Sequence, residues 1–364
     1  MIIVLSSLIG VVILTDISLM VCWVYFERGN RKKTADSDLE NWPKVSILLA
    51  VRNEEENIQR CFTSLMALDY QKDKIEILIG DDNSTDSTYE LVERLIANHP
   101  NCHLFKIDDE TSHQKAKAKV LGQLAQKASG QYYFVTDADM RLPESWIKEM
   151  VITAESGIDI ITGVTLVEDN KWQSIDWLFA IAMIYVLDCL GKPVTAMGNN
   201  MMISRRAYKA VGGYEKIPFS ITEDMELFRH ARKEGFKVKH IFNYSVLGFT
   251  KSIKEVSSLF HQRKRWMHGA LQLKWPMITI LVIQAFYFPL IISAFIISPI
   301  IALGLFIVKT MIQALFIHFS ARTLKHKVSV IHLFLYEFYS WFVSIGSGLF
   351  YLSGSKVIWK GRKY

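Results

Sequence analysis

The segment YFVTDADMRL, residues 133–142, decides how the middle of this chain is read. Phe134 and Val135 end an apolar run of the kind that fills a buried strand, and Asp137 and Asp139 follow one residue apart. Two carboxylates so close repel each other, and burying either one without a partner is costly. Either a cation and a ligand share the site, or the segment is a solvated polar turn.

The sequence upstream favours a site. VSILLAV (45–51) is a continuous apolar run, as expected of a strand covered on both faces. A helix is expected over residues 53–66, where Ile58, Phe62 and Leu65 fall at helical spacing. IEILIG (75–80) reads as a second buried strand, followed by DDNSTDSTYELVERL with Ser84, Thr85 and Asp86 as helix caps. Residues 113–128 read as a basic helix closed by Gly130, and QYYFVTDAD is the next strand. Strands alternating with helices predict an α/β fold with a mainly parallel sheet, whose ligands bind beyond the carboxyl ends of the strands. Arg52, Glu54, Asp81, Asp82, Asp137 and Asp139 all lie just past such ends, so they are expected to line one crevice. Any one of these acids alone would be a solvated turn; acids after three separate strands point to a site. AVRNEE has no glycine-rich turn for a dinucleotide, and no P-loop is present. A phospho-acceptor signalling domain would place its acid pair after the first strand, whereas Asp81 and Asp82 follow the second.

The ends of the 364-residue chain are of another kind. Residues 2–26 form an apolar run broken by Asp16, residues 277–319 form a second, long enough for two spans, and residues 328–352 form a third, interrupted by His332 and Glu337. The expected organisation is a transmembrane helix over 1–26, a cytosolic domain over 27–275, a membrane region of two or three spans over 276–353, and a basic tail over 354–364. The first run shows no small-residue cleavage site, and Arg28, Arg31, Lys32 and Lys33 follow it, so the globular domain is assigned to the cytosol. An integral, multi-pass membrane protein is expected, at the inner membrane if the source is bacterial. The positive-inside rule conflicts with itself at the other end: Arg322, Lys325 and Lys327 ask for a cytosolic loop, and so do Lys356, Lys360, Arg362 and Lys363 beyond a third run. Either residues 328–352 are re-entrant or interfacial, or the rule fails there; a cytosolic tail is the reading preferred. The four cysteines show no CxxC spacing and read as reduced and structural. The net charge of +6 suits an anionic lipid surface, and no basic stripe with interleaved aromatics points to nucleic acid. DWLFAIAMIYVLDCL (176–190) is apolar only from Trp177 to Leu187, too short to span; it is a core helix or an interfacial one.

AVRNEEE, DDNSTD, DAD, TED (222–224) and QRKRW (262–266), in this order between apolar segments, resemble the family 2 glycosyltransferases. The likeness covers about residues 44–270 and is nearest to the membrane-bound branch that holds the cellulose, hyaluronan and poly-N-acetylglucosamine synthases and ceramide glucosyltransferase. It implies a GT-A nucleotide-sugar domain and an inverting transfer from a nucleotide sugar, UDP-linked by expectation, to a hydroxyl of a lipid or lipid-linked glycan. It also implies residue roles. Asp139 is a ligand for Mg²⁺ or Mn²⁺, Asp137 faces the nucleotide or its ribose, Asp82 contacts the base, and Arg52 and Glu54 frame the pocket. Gln262 and Arg265 meet the pyrophosphate, Glu223 and Trp266 stand on the acceptor side, and Asp224 is the general base. Lys117 matches by spacing to Asp137, although Ala116 stands where the family has glycine; a solvated basic face, with Lys115 and Lys119, is the competing reading. Such residues suit the chemistry, because a diphosphate leaving group gains charge as the glycosidic bond breaks, and a hard cation on carboxylates with a guanidinium can receive it. A processive polysaccharide synthase stays open within the class, and a non-catalytic nucleotide-sugar sensor or scaffold outside it.

Overall fold

The protein is described by a computed structural model over residues 1–30, 39–107, 114–359 and 362–363. After α1 (Ile2–Asn30) the chain runs β1 (Val45–Val51), α2 (Ile58–Met66), β2 (Ile75–Asp81), α3 (Thr88–Ile96), β3 (Cys102–Lys106), α4 (Ala116–Lys127), β4 (Tyr132–Asp137) and α5 (Trp146–Glu155). It continues through β5 (Ile160–Thr162), β6 (Val164–Val167), α6 (Lys171–Cys189), β7 (Asn200–Ser204), α7 (Arg205–Ala210), α8 (Gly213–Lys216), α9 (Glu223–Lys233), β8 (Val238–His240), β9 (Leu247–Thr250) and α10 (Val256–Ala270). Then follow α11 (Trp275–Ala285), α12 (Tyr287–Ile297), α13 (Pro299–Thr323), α14 (Val330–Leu352) and a two-strand ribbon of β10 (Ile358–Trp359) and β11 (Arg362–Lys363).

Seven strands form one sheet in the order β3-β2-β1-β4-β7-β5-β8. The first four are mutually parallel, and the antiparallel β7 joins them to the parallel pair β5 and β8. The alternation of side chains explains why both faces are covered. Val45, Ile47, Leu49 and Val51 of β1 pack with Ile58, Phe62, Trp146 and Met150, whereas Leu48 points the other way, toward Val120, Leu124 and Phe228. Each such burial contributes about 1.5–3 kcal/mol. In register, Val51 lies opposite Asp81 and Ala50 opposite Asp137, so the acids after β2 and β4 come to one edge of the sheet.

Several local expectations shift. The helix expected over 53–66 begins only at Ile58, because residues 53–57 form a turn that bonds to the loop after β2. Asp86, not Ser84 or Thr85, accepts the amide of Thr88 at 3.0 Å where α3 begins. The basic helix starts at Ala116, and residue 113 lies outside the described residues. Thr222 is at the N-cap of α9, but its side chain makes no capping bond.

Among the described residues, four helices are long and apolar enough to cross a membrane: Ile2–Arg28, Lys171–Cys189, Met277–Ile297 and Pro299–Thr323. The second is longer than the segment read at residues 176–190: α6 starts at Lys171, capped by Asn170. Leu178, Ile181, Ala182 and Val186 of α6 pack with Val164 and Leu166 of β6, and with Phe316 of α13 and Tyr336 of α14. Trp23 of α1 meets Tyr185, Phe242 and Phe316 edge-on. Both ends of α14 touch the α/β layer. In the connection that leads into it, Lys325, two residues past α13, lies 3.6 Å over the Tyr244 ring; just after its end, Ser355 accepts a hydrogen bond from Lys264 of α10 at 2.6 Å.

Candidate active site

The loops after β1 and β2 hold each other. The Ser84 hydroxyl and amide both donate to the Asp81 carboxylate, at 2.5 and 3.1 Å, so Asp81 serves its own turn. Asn53, at φ 52°, accepts from the Thr85 amide at 2.8 Å, and the Glu54 amide donates to Thr88 Oγ1 at 2.7 Å. The Glu54 side chain is buried and accepts from Asn57 Nδ2 at 2.9 Å. Glu54 therefore shapes the loop that carries Arg52.

Asp82 is the centre of a buried charge group. Lys119 Nζ lies 3.1 Å from one carboxylate oxygen, and both side chains are only 5% exposed. Arg52 donates to the Asp82 carbonyl at 2.5 Å and stands 4.0 Å from the carboxylate. Arg362, from β11, lies 2.6 Å from the other carboxylate oxygen. Lys119 reaches Asp82 because α4 packs tightly on β2: a Cβ at Gly80 would sit 2.6 Å from Val120 Cγ1, so only glycine allows this approach.

Lys117, two residues earlier on the same helix, faces the second group. Its ammonium lies 2.5 Å from Asp137 Oδ1 and 3.5 Å from Glu223 Oε1, and donates to the Gly198 carbonyl at 3.1 Å. The solvated-face reading of Lys117 fails on this geometry. Ala116 takes φ 52°, a conformation that glycine adopts without strain, just where the glycine of the resembled family is replaced. Asp224 accepts the Gly198 amide at 2.7 Å and the Met225 amide at 2.8 Å. A Cβ on Gly198 would lie 3.0 Å from that of Asp224, so the glycine admits the acid. Burial by itself lowers the Lys117 pKa, yet Asp137, Glu223 and Asp224 together hold it well above the usual lysine value. Burial raises the Glu223 pKa above its ordinary 4.5; Lys117 pulls against this, Asp224 adds to it, and Arg265 opposes it.

Asp139 accepts from Thr250 Oγ1 at 2.9 Å, and Arg60 donates to its backbone carbonyl. Arg60, Arg141 and Lys251 converge on Glu168 beside it. On α10, Gln262 and Arg265 are half-buried, and Arg265 is close enough to act on the charge of Glu223. Trp266 is held between the Arg263 guanidinium, 4.2 Å from its ring centre, and the edge-on ring of Trp177. Arg263 itself pairs with Asp176 of α6 at 2.5 Å. The carboxyl ends of the strands thus carry two groups, one of Arg52, Asp82, Lys119 and Arg362 and one of Lys117, Asp137, Glu223 and Asp224, with Arg265 near Glu223. A surface depression of about 800 Å³ lined by Lys44, Glu155, Asp159 and Arg206 opens at the opposite, amino ends of β1 and β4 and holds none of them.

Lys119, Arg60, Thr250 and Arg362 were not singled out by the sequence. Lys119 had one available signal, a lysine adjacent to Val120 and Leu121 on the apolar face of α4. Thr250 and Arg362 lie 111 and 280 residues from their partners, and no local pattern points to them.

The chain belongs to glycosyl transferase family 21, whose sequence profile matches residues 3–364. The β-monoglucosyldiacylglycerol synthase of Synechocystis sp. is 28% identical over 252 residues, 66% of this chain and 50% of that protein. The poly-β-1,6-N-acetyl-D-glucosamine synthase of Staphylococcus aureus is 25% identical over 259 residues, 68% of this chain and 60% of that one. The chain spans about half the length of the first of these relatives. Among solved structures, the mannosyltransferase PcManGT of Pyrobaculum calidifontis, in complex with GDP-Man and Mn²⁺, aligns with a TM-score of 0.57 at 16% identity over 96% of this chain and 99% of its own. That likeness is one of fold, and the sheet described above is of the GT-A type.

Proposed function

We propose that the chain moves a sugar from a nucleotide-sugar donor, UDP-linked, to a hydroxyl of a lipid or lipid-linked glycan at a membrane surface, with inversion at the anomeric carbon. The observation that carries this reading is the convergence of Asp137, Lys117, Glu223 and Asp224, from β4, α4 and α9, into one group at the carboxyl edge of the sheet. Arg52 and Asp82 bind the nucleoside part, with Glu54 shaping their loop, and Asp137 meets the ribose. Gln262 and Arg265 receive the diphosphate. Glu223 and Trp266 flank the acceptor. Asp224 takes the proton of the acceptor hydroxyl as its oxygen bonds to the anomeric carbon from the face opposite the diphosphate; the bond to the diphosphate breaks, and its electron pair leaves with that group. The amides of Gly198 and Met225 hold the Asp224 carboxylate in place for this step.

Among the described residues no three His, Cys, Asp or Glu side chains converge to form a metal cage. Asp137 and Asp139 on one turn nonetheless fit a hard cation, which commonly binds one or two carboxylates and completes its shell with substrate phosphate. Asp139 would be its main ligand, and a bound Mg²⁺ or Mn²⁺ would offset the charge that develops on the leaving diphosphate.

The apolar helices support the following membrane arrangement. Residues 27–275 form the catalytic domain, on the cytosolic side, with spans in α1, α11–α12 and α13. Residues 328–352 lie at the interface rather than crossing, because both ends of α14 meet the α/β layer; the basic residues around both ends then stay on one side. The acceptor enters along α6 and α14, where the domain meets lipid.

Purified chain in lipid vesicles containing diacylglycerol, given a panel of nucleotide sugars with Mn²⁺, tests this reading. Addition of one sugar to the lipid is the expected result. A ladder of products would move the reading to a processive synthase, for which the relative making poly-β-1,6-N-acetyl-D-glucosamine gives a precedent. Nucleotide binding without any transfer or donor hydrolysis would favour a sensor.

A further inference from the structure

Three observations concern the ribbon β10–β11, none of which the transfer chemistry above uses. Arg362 reaches Asp82 across 280 residues of sequence and pairs with its carboxylate at 2.6 Å. Asp82 and Lys119 are buried, while the Arg362 side chain stays 29% exposed, so the guanidinium stands at the boundary between the buried pair and the open crevice. The ribbon is also tied to α10, the helix that carries Gln262, Arg265 and Trp266. Lys264, itself buried, donates to the carbonyls of Phe350, Tyr351 and Ser355, and so caps the end of α14 and fixes the turn that follows. The Ile358 amide donates to His261 Nδ1 at 3.1 Å.

We propose that this ribbon is a wall of the donor pocket and that Arg362 is a donor-positioning residue, which holds the Asp82 carboxylate in the orientation that receives the nucleoside. The proposal rests on Asp82 being part of the nucleotide pocket. A carboxylate with Lys119 on one oxygen and Arg362 on the other has one favoured orientation, with the Arg362 side the more exposed of the two. The planar guanidinium fork fixes direction in a way a point charge does not. The ribbon also closes a circuit. It joins α10, on the diphosphate side, to the end of β2, on the nucleoside side, so both parts of the donor would be gripped by elements that the ribbon links. A loose plug would not need the buried lysine anchor that Lys264 supplies.

The test uses the full chain in lipid nanodiscs, titrated calorimetrically with UDP and with GDP, each with Mn²⁺, alongside donor KM and kcat measurements. Loss of a charge-assisted hydrogen bond to a part-exposed arginine should weaken nucleotide binding about tenfold in Arg362→Ala. Donor KM should rise with it, while kcat at saturating donor and the melting temperature without nucleotide stay near wild type. Arg362→Lys should recover part of the affinity. Unchanged or tighter binding in Arg362→Ala would overturn the proposal, as would a fall in melting temperature that Lys does not rescue, since the first makes the ribbon a bystander or a plug and the second makes it a structural brace. If Arg362→Ala binds and transfers like wild type, only this inference falls. If folded wild-type protein binds neither nucleotide, the reading of the crevice falls with it.

Discussion

Two of the charge groups that this chain buries are finished differently. At the carboxyl edge of the sheet, Asp82 meets Arg52, Lys119 and Arg362, and Lys117 meets Asp137 and Glu223, with Asp137 36% and Lys117 23% exposed. Between the apolar helices, Lys309 donates to both Glu337 and Gln313, Trp341 Nε1 donates to Glu337 at 2.7 Å, and Gln284 donates to Asp16 at 3.2 Å. There the Lys309 and Glu337 side chains are 7% and 1% exposed, among Ile9, Val12, Ile291 and Ala302. Part of the first group, Asp137 with Lys117, stays partly exposed, and Asp224 beside it accepts two backbone amides that fix its direction. The second closes on itself and joins α1, α11, α13 and α14. Of these two, the part-exposed group is the one proposed to react.

The largest effect expected from that contrast is catalytic. Asp224→Asn keeps size and removes the proton acceptor, so turnover should fall about 10²–10⁴-fold while nucleotide affinity changes little. Asp137→Asn should instead weaken nucleotide binding. Steady-state kinetics beside calorimetry reads both. Near-normal turnover in Asp224→Asn would move the base to another acid, with Glu223 the first to examine.

The helix cluster should answer in stability alone. Lys309→Met leaves Glu337 buried without its cation and should cost about 3–5 kcal/mol, whereas the double variant Lys309→Met/Glu337→Leu should recover most of the loss. Thermal unfolding in detergent measures this, and kcat per folded molecule should hold in both. A catalytic defect in the double variant would break the contrast, because the closed cluster would then serve the reaction.

A smaller effect sharpens it from the other side. The Glu223 pKa is raised in the fold, so the unfolded chain ionises this group first, and folding stability falls as pH rises from about 4.5 through the higher folded value. Glu223→Gln should remove that decline and raise the melting temperature at neutral pH, at some cost to transfer. A melting curve of wild type that is flat in this pH range would contradict the assignment of burial as the cause.

Much of the first region was legible because its elements repeat a local pattern. β1 was readable to the residue from VSILLAV, and Asp82, Asp137 and Asp224 follow strand ends or open a helix in short motifs. What was not legible depends on long-range packing. Lys119 is buried by the tight contact at Gly80, Thr250 bonds Asp139 from another sheet, and Arg362 arrives from the last ribbon. In the second region, Asp16 and Glu337 stood out as interruptions of apolar runs, but their connection through Lys309 and Gln284 follows only from how the helices pack. The core-helix reading of residues 176–190 agrees with the packing of α6, but its start at Lys171 was not legible, because Asn170 caps it and Asp176 is paired with Arg263 and Tyr336.

Hydrogen–deuterium exchange of the full chain in nanodiscs, with and without UDP or GDP and Mn²⁺, tests the central claim most directly, because it reads both regions in one experiment. The account predicts that nucleotide slows exchange at amides of residues 52–57, 82–88, 137–141 and 262–266 and leaves residues 299–323 unchanged. Protection confined to the depression near Lys44 and Arg206, or spread through the helices around Lys309 with none at the strand ends, would contradict it.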